Sequence, residues 1–363
     1  MWKKRHYLCV SLLLSLFLMG ISACLDRIEL DAEAAEERPI VIQGKLILGT
    51  PSRIQLSIGR LSGLRTDELP IPVDVQEVVL EDENGNRFLI NYTSGLDISY
   101  PIDASTGIEM APGKSYRLSV VTLEGETIQS TFEVLPETVS ADSLGFSLTK
   151  RTFLNELENE VEADFVSFNL FTGLRTNDGN LARFKWDFKS TYVAIDVEDP
   201  NTNFPNTKIC YIDRNINPNK ITVFDGNEFT GNRLENFSLL EQEVDSKFAY
   251  GYYLIILKEA LSAGAYAYWN EVRQVLDRNG NFFETPAGEI QSNFTNTDRP
   301  EQIIYGYFYA TQVDTTYQHV GPADVGTPVD QCRLIANYDE LPLQCRDCLT
   351  IPRSTTIKPP YWK

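Results

Sequence analysis

Apolar and polar residues alternate in short segments between residues 38 and 136. Ile54, Leu56 and Ile58 alternate with polar residues and therefore share one face of an extended chain, as in a half-buried strand. The pair Asn84-Gly85 is a favoured two-residue hairpin turn between two such segments. Further strands are predicted at residues 40–42, 45–48, 75–80, 87–92, 115–123 and 127–134. Strands at roughly ten-residue spacing, without a helical pattern between them, favour an immunoglobulin-like antiparallel β-sandwich over 38–136.

Residues 137–363 form a second region, in which one helical pattern lies among further strands. A linker is predicted at 135–145, and a helix at 262–278 with Ser262 as its candidate N-cap. The apolar positions of this helix recur on one face, at Ala265, Trp269, Val272 and Leu276. Strands are predicted at 165–171, 183–197, 208–213, 247–257 and 302–313. We therefore expect a mainly β protein whose β-rich C-terminal domain carries one docked helix.

The first 23 residues have the pattern of an export signal. A cationic start containing Lys3, Lys4 and Arg5 precedes a 13-residue apolar run at 8–20. Because about 20 apolar residues are needed to cross a bilayer, this run suits a signal peptide better than a membrane anchor. The sequence Ile21-Ser22-Ala23-Cys24 resembles the bacterial lipobox, in which the cysteine is diacylated and the chain is cut before it. We expect Cys24 to anchor an outer-membrane lipoprotein through its acyl chains, palmitate among them.

The segment 24–37 is strongly acidic and is predicted to be a flexible tether behind the anchor. Arg27 is its one basic residue, against six acids at Asp26, Glu29, Asp31, Glu33, Glu36 and Glu37. The run also resembles the acidic export tag of Bacteroidota lipoproteins that reach the cell surface. We therefore expect the lipoprotein to face outward from the outer membrane.

Composition and net charge exclude several classes of protein. The chain has 363 residues, of which 42% are hydrophobic and 23% charged, as expected of a folded protein and not of a disordered or multi-span membrane chain. Its net charge is −19, and removal of the three cations Lys3, Lys4 and Arg5 with the signal peptide lowers the net charge to −22. A chain this acidic has no electrostatic reason to bind phosphate backbones, so no nucleic-acid partner is expected.

Four cysteines follow Cys24, and their spacing leaves more than one chemistry open. They are Cys210, Cys332, Cys345 and Cys348, and the last two form a CxxC motif. Four thiols could hold a zinc ion, and a CxxC could be redox-active. An exported protein, however, lies in an oxidising compartment where cysteines usually pair. We expect two disulfides that link the C-terminal tail to the second domain, in any of three connectivities. We expect no metal site.

Catalytic motifs are scarce in this sequence. His319 is the only histidine after the predicted signal peptide, and no GxSxG motif supplies a nucleophile for it. Neither a phosphate-binding glycine motif nor an HExxH motif occurs, so no cofactor is expected. A pair of carboxylates roughly 5–9.5 Å apart could still hydrolyse a glycosidic bond, because such pairs meet only in space. The prediction is a protein without covalent chemistry of its own, with a carboxylate-based hydrolase as a remaining alternative.

An ordered series of motifs runs along the chain after Cys24. The motifs are Pro39-Ile40-Val41-Ile42-Gln43-Gly44, Phe184-Lys185-Trp186-Asp187-Phe188, Ile209-Cys210-Tyr211, Ala265-Tyr266-Ala267-Tyr268-Trp269, Gly280-Asn281-Phe282-Phe283, Tyr305-Gly306-Tyr307-Phe308, Cys345-Arg346-Asp347-Cys348 and Lys358-Pro359-Pro360-Tyr361-Trp362. This series resembles the Bacteroidota lipoprotein family known as domain of unknown function 4249. The resemblance implies a genetic neighbourhood with TonB-dependent outer-membrane transporters, and it implies no catalytic residue. We therefore expect an accessory subunit of such a transporter that captures a small-molecule, peptide or glycan ligand or covers the barrel. The alternative is a stand-alone surface lipoprotein for glycan binding or adhesion.

Overall fold

The computed structural model describes residues 38–61, 70–139, 141–154, 157–201, 207–277, 290–335 and 337–363. The predicted signal peptide, Cys24 and the acidic tether lie outside these ranges. From Pro39 onward the described residues belong to one compact unit.

Strands dominate the described part of the chain. They are β1 Ile40–Leu48, β2 Ser52–Arg60, β3 Ile71–Pro72, β4 Val75–Asp82, β5 Arg87–Ile90, β6 Ile98–Ile102, β7 Ser115–Thr122, β8 Thr127–Ser130, β9 Glu133–Val134, β10 Ala141–Leu154, β11 Glu160–Gly173, β12 Arg183–Ile195, β13 Ile209–Ile216, β14 Thr222–Asp225, β15 Arg233–Glu243, β16 Tyr252–Ala260, β17 Phe294–Asn296, β18 Phe308–Val320 and β19 Ser354–Thr355. The α-helices are α1 Ala263–Leu276 and α2 Leu343–Arg346. Short 3-10 helices occur at Ala104–Thr106, Gly226–Glu228, Ser246–Phe248, Pro322–Val325, Gln331–Leu334, Tyr338–Glu340 and Cys348–Thr350. The predicted mainly β class is thus confirmed.

A ten-stranded sheet organises the molecule. Its main path runs β19-β13-β12-β16-β18-β1-β2-β3, with β14 paired to β12 and β6 paired to β2. Strand β1 pairs parallel with β18, in a register that sets Gly44 opposite Phe308. Strands from both predicted regions therefore belong to the same sheet. The domain division at residues 136 and 137 stays a prediction.

Two smaller sheets cover one face of the large sheet. The six-stranded sheet, β17-β8-β7-β4-β5 with β9 on β7, shares a core with β1 and β2 that includes Ile42, Leu46 and Leu118. The three-stranded sheet β10-β11-β15 shares a second core with β12 and β16, which includes Phe168 and Trp186. Both cores are apolar and fully buried, so their burial is the main contribution to stability.

Helix α1 covers part of the opposite face, and its start agrees with the sequence prediction. The Ser262 hydroxyl accepts a hydrogen bond from the Ala265 amide at 3.0 Å, which caps the helix. Tyr268 of the helix stacks on Tyr307, with ring centroids 4.8 Å apart. The helix ends at Leu276, while position 278, the predicted end, lies outside the described residues. None of the helices in the described ranges is long and apolar enough to cross a bilayer.

The predicted disulfides are present in the C-terminal region, in one defined connectivity. Cys210 pairs with Cys348 and Cys332 pairs with Cys345, so the two cysteines of the CxxC motif bond to different partners. The Cys210–Cys348 bond ties the tail to β13, beside the pairing of β19 with the same strand. In the described ranges no group of three histidine, cysteine, aspartate or glutamate side chains could hold a metal ion.

Several local predictions differ from the structure; the strand predicted at 302–313, for example, is β18 and begins only at Phe308. Strand β10 begins at Ala141, inside the predicted linker, and β15 was not predicted. The β4–β5 hairpin exists, but its loop is longer than a two-residue turn: the Asp82 amide donates to the Asn86 carbonyl. Gly85 takes the left-handed conformation in this loop, with φ 82°. Burial alone would raise the pKa of Asp82, but hydrogen bonds from Asn86 and Asn84 lower it below its ordinary value.

Candidate functional site: a cation-lined groove

The site lies on the face of the ten-stranded sheet that the two smaller sheets leave uncovered. Successive side chains of a strand point to opposite faces, so Phe184 and Trp186 of β12 enter the core while Lys185 and Asp187 face the other way. The same alternation on β1 sends Leu46 into the core and Lys45 to the opposite face. Because β12, β16, β18 and β1 are neighbours in that order, their outward side chains form one continuous surface.

Glu259 on β16 is the centre of this surface. Its side chain is only 3% exposed, and Oε1 lies 2.8 Å from the Lys45 Nζ. The Tyr309 hydroxyl donates a 2.9 Å hydrogen bond to Oε2, and the Lys185 Nζ lies 3.9 Å from the same oxygen. Burial alone would raise the pKa of Glu259, but the charges of Lys185 and Lys45 and the hydrogen bonds from Lys45 and Tyr309 lower it. Glu259 is therefore an anion at neutral pH and holds two lysines in fixed positions.

Lys185 is more enclosed than Lys45. Its side chain is 6% exposed, and its Nζ lies 2.6 Å from Asp187 Oδ2. The same nitrogen lies 5.0 Å above the centroid of the Trp269 ring, a cation–π contact with helix α1. At this depth the carboxylates of Asp187 and Glu259 take the place of the water that would surround an exposed lysine.

The groove around these residues has a volume of about 440 Å³. Five cationic and two anionic side chains line it, a formal balance of +3 in a chain whose total is −19: Lys45, Arg53, Lys185, Lys189 and Lys220, with Asp187 and Glu259. A smaller cavity of about 150 Å³ adjoins it, shares Lys45, Lys185 and Trp269, and adds Asp97. The groove is thus a positively charged recess on a strongly acidic protein.

Three of these cations have no counter-charge within the described parts of the chain. Arg53, Lys189 and Lys220 lie at exposed positions around the groove, and none of their side chains forms an ion pair or a hydrogen bond with a described residue. They come from β2, from β12 and from the loop after β13, so only the fold brings them together. The unpaired cations can therefore meet an anion from solution.

Apolar side chains complete the lining. Trp269 forms the helix side of the groove, and Ile47, Leu257 and Val313 lie on the sheet side. A recess that combines a few fixed charges with apolar walls is typical of small-molecule sites. It can hold an anionic group while the rest of the molecule packs against carbon.

Those residues singled out from the sequence for chemistry that the structure describes lie outside the groove. Cys24 is outside the described residues, and no disulfide cysteine lines the groove. His319 lies further along β18, where its ring packs 4.7 Å from that of Tyr253. Burial lowers the pKa of His319, with Asp324 opposing the change. Among the described residues, neither His319 nor any of the four disulfide cysteines lines the groove.

Sequence reasoning missed Lys45, Lys185 and Glu259. The available signal was Lys185 itself, a cation between Phe184 and Trp186 in a run predicted to be a strand. Its partners are distant in sequence, since Lys45 and Glu259 are separated by 214 positions.

Similarity to known proteins bears on the family of the chain. No curated protein and no solved structure is significantly similar to it. The family model described as "Domain of unknown function (DUF4249)" matches residues 26–317. This span includes β1 through most of β18 and every residue that lines the groove. The chain is therefore a member of the DUF4249 family.

Proposed function

We propose that this protein captures a ligand in the cation-lined groove, as an accessory lipoprotein of a TonB-dependent outer-membrane transporter. The groove itself carries the proposal, because it joins fixed charges, unpaired cations and apolar walls in a recess of small-molecule size. In this proposal Cys24 anchors the protein to the outer membrane, and the acidic tether holds the folded part at the cell surface.

The chemistry of the groove favours binding over hydrolysis. A glycosidase needs one carboxylic acid with a raised pKa, which donates a proton to the leaving group. The pKa of Glu259 is lowered instead, and the Asp187 carboxylate is paired with Lys185 at 2.6 Å. Both carboxylates of the groove thus serve to hold lysines, and neither suits proton donation.

The anchor and the partner are supported by the sequence. Ile21-Ser22-Ala23-Cys24 has lipobox spacing, and the acidic segment 24–37 follows it directly. The resemblance to Bacteroidota lipoproteins encoded beside TonB-dependent transporters supplies the class of partner. A lipoprotein that binds a ligand beside such a barrel would raise the ligand concentration at its mouth.

The test is to identify what accompanies the native protein in the membrane. An antibody recovers it from gently solubilised outer membranes, and mass spectrometry quantifies the proteins that come with it. A TonB-dependent barrel in near-stoichiometric amount supports the proposal. Recovery of the lipoprotein alone would overturn the accessory role and favour a stand-alone surface binder.

A second experiment tests the lipid anchor at Cys24. The Cys24→Ala protein has no thiol to acylate at this position, so it should leave the outer-membrane fraction and lose the barrel. Cys332→Ala with Cys345→Ala is the matched control, because it removes two cysteines that form a disulfide and leaves Cys24 in place. Outer-membrane retention of Cys24→Ala would contradict the lipid anchor.

A further inference from the structure

We infer that the ligand of the groove is a small organic anion, bearing a carboxylate, phosphate or sulfate group. This inference rests on the proposed capture function and names its ligand class. The anionic group meets Arg53, Lys189 and Lys220, and the carbon skeleton lies against Trp269, Ile47 and Val313.

Local charge gives the first argument. The protein carries 51 acidic and 32 basic residues, so a random patch of its surface is acidic. The groove reverses this balance, with five cations against two carboxylates. An acidic protein repels anions in general, and a cationic recess within it selects those that fit by focusing the local field.

The second argument is that only two of the five cations in the groove are paired with carboxylates. Lys45 and Lys185 are occupied by Glu259 and Asp187, which orient them and cancel their charge. The three remaining cations carry the whole excess of +3 and are not used by the described part of the fold. Cationic side chains that line one recess and stay unpaired are what an anion site requires.

The shape and lining of the groove define the rest of the ligand. A volume of about 440 Å³ suits a small molecule and not a folded partner. A planar guanidinium such as that of Arg53 binds carboxylate, phosphate or sulfate oxygens in pairs, so the cations alone leave the choice of anionic group open. The apolar wall at Trp269 and Val313 favours an anion with a carbon framework over an inorganic ion.

Calorimetric titration of the intact, detergent-solubilised lipoprotein tests the inference. The probes are matched compounds that differ in one group: glucose, glucuronate, glucose 6-phosphate and glucose 6-sulfate, together with benzamide and benzoate. Inorganic phosphate and sulfate serve as bare ions. We expect at least one organic anion to bind about ten-fold more tightly than its neutral counterpart, and more weakly as salt increases.

Variants locate the binding. Arg53→Gln and Lys189→Gln replace exposed side chains, so folding should be unchanged, and each should weaken binding of the organic anion by about ten-fold. Arg87→Gln is the matched control, because Arg87 is a 59% exposed cation on β5, in another sheet. The Arg87→Gln variant should bind the organic anion with the same affinity as the unaltered protein.

The outcomes separate this inference from the proposed function. Equal or tighter binding of neutral compounds, or full affinity in Arg53→Gln and Lys189→Gln, would overturn the anion inference and leave ligand capture standing. Binding of inorganic ions as tightly as organic ones would also overturn it. If none of the probes binds, the anion inference is wrong for these classes, and recovery of the barrel then decides the accessory role independently.

Discussion

Lys185 and Glu259 are directly opposed residues on the neighbouring strands β12 and β16, and both are nearly inaccessible to water. Glu259 also forms a salt bridge with Lys45. One buried carboxylate therefore orients two lysines that come from opposite halves of the chain. Strands β16 and β18 lie between β12 and β1 in the sheet. The contacts of Glu259 therefore connect side chains of β12 and β1 across the groove face of the sheet.

Removing the charge of Glu259 should therefore destabilise the protein. Glu259→Gln keeps the size of the side chain but leaves Lys45 and Lys185 without their shared anion, and breaking a buried pair costs about 3 kcal/mol of unfolding free energy. Urea unfolding measures the difference. The control is Glu77→Gln, whose 3.6 Å pair with Arg87 is exposed and should contribute less than about 1 kcal/mol. Equal losses in the two variants would contradict the central role of Glu259.

A second buried carboxylate predicts a pH dependence. Burial raises the pKa of Glu133 above its ordinary value of 4.5, although hydrogen bonds from Ser262 and Tyr307 act in the opposite direction. Between pH 4.5 and the raised pKa of the folded state, the folded protein keeps a proton that the unfolded chain has lost. The stabilising contribution of Glu133 is therefore fully present below pH 4.5. Its contribution is lost as pH rises from 4.5 through the raised pKa of the folded state.

Glu133→Gln isolates that contribution, because the amide does not titrate. Relative to the unaltered protein, the variant should gain stability as pH rises from 4.5 toward neutrality, as measured by urea unfolding at a series of pH values. Glu109→Gln, with an exposed carboxylate beside Lys114, is the control for a general charge effect. A constant difference between Glu133→Gln and the unaltered protein across this range would refute the assignment.

The two disulfides should differ in their contribution to stability. Cys210–Cys348 closes a loop with a sequence separation of 138, while Cys332–Cys345 closes one with a separation of 13. In the chain-entropy description, removal of the long-range bond should cost about 5 kcal/mol and removal of the short one about 3 kcal/mol. Alanine replacement of each pair, followed by urea unfolding without reductant, measures both values. With reductant, the difference between the variants should disappear, and a larger loss for the short loop would contradict the prediction.

Sequence reasoning succeeded where a strand keeps an unbroken two-residue period. Ile54, Leu56 and Ile58 alternate without interruption, and all three lie within β2, Ser52–Arg60. Strand β15 lacks this regularity. Its pairing with β11 shifts register at two places, and Asn236 takes a positive φ of 53°. Each irregularity displaces the apolar positions, so the alternation that marks a strand is lost from the sequence.

The groove could not be predicted, for a different reason. Asp187 and Lys189 alternate with apolar residues on β12, a pattern that normally indicates a solvated face. Lys185 is buried because α1 covers that end of the sheet and brings Trp269 above it. The charge balance of the groove depends on this long-range packing, whereas the helix and its cap depend on neighbouring residues that the sequence displays directly.

The start of helix α1 yields the last prediction, which reverses an ordinary rule. Glycine inside a helix is usually about 1 kcal/mol less favourable than alanine, so Gly→Ala normally stabilises. A methyl group at Gly264 would overlap the Tyr307 hydroxyl and lie 2.9 Å from Glu133 Oε1, where these groups hydrogen-bond to each other. Gly264→Ala should therefore destabilise the protein, in spite of its better helix propensity, and urea unfolding measures the sign. Ala267→Gly, at an exposed position of the same helix, provides the matched comparison and should cost about 1 kcal/mol through propensity alone. A more stable Gly264→Ala protein would mean that α1 can move away from Tyr307, and the packing of the helix against the sheet would then be looser than the contact requires.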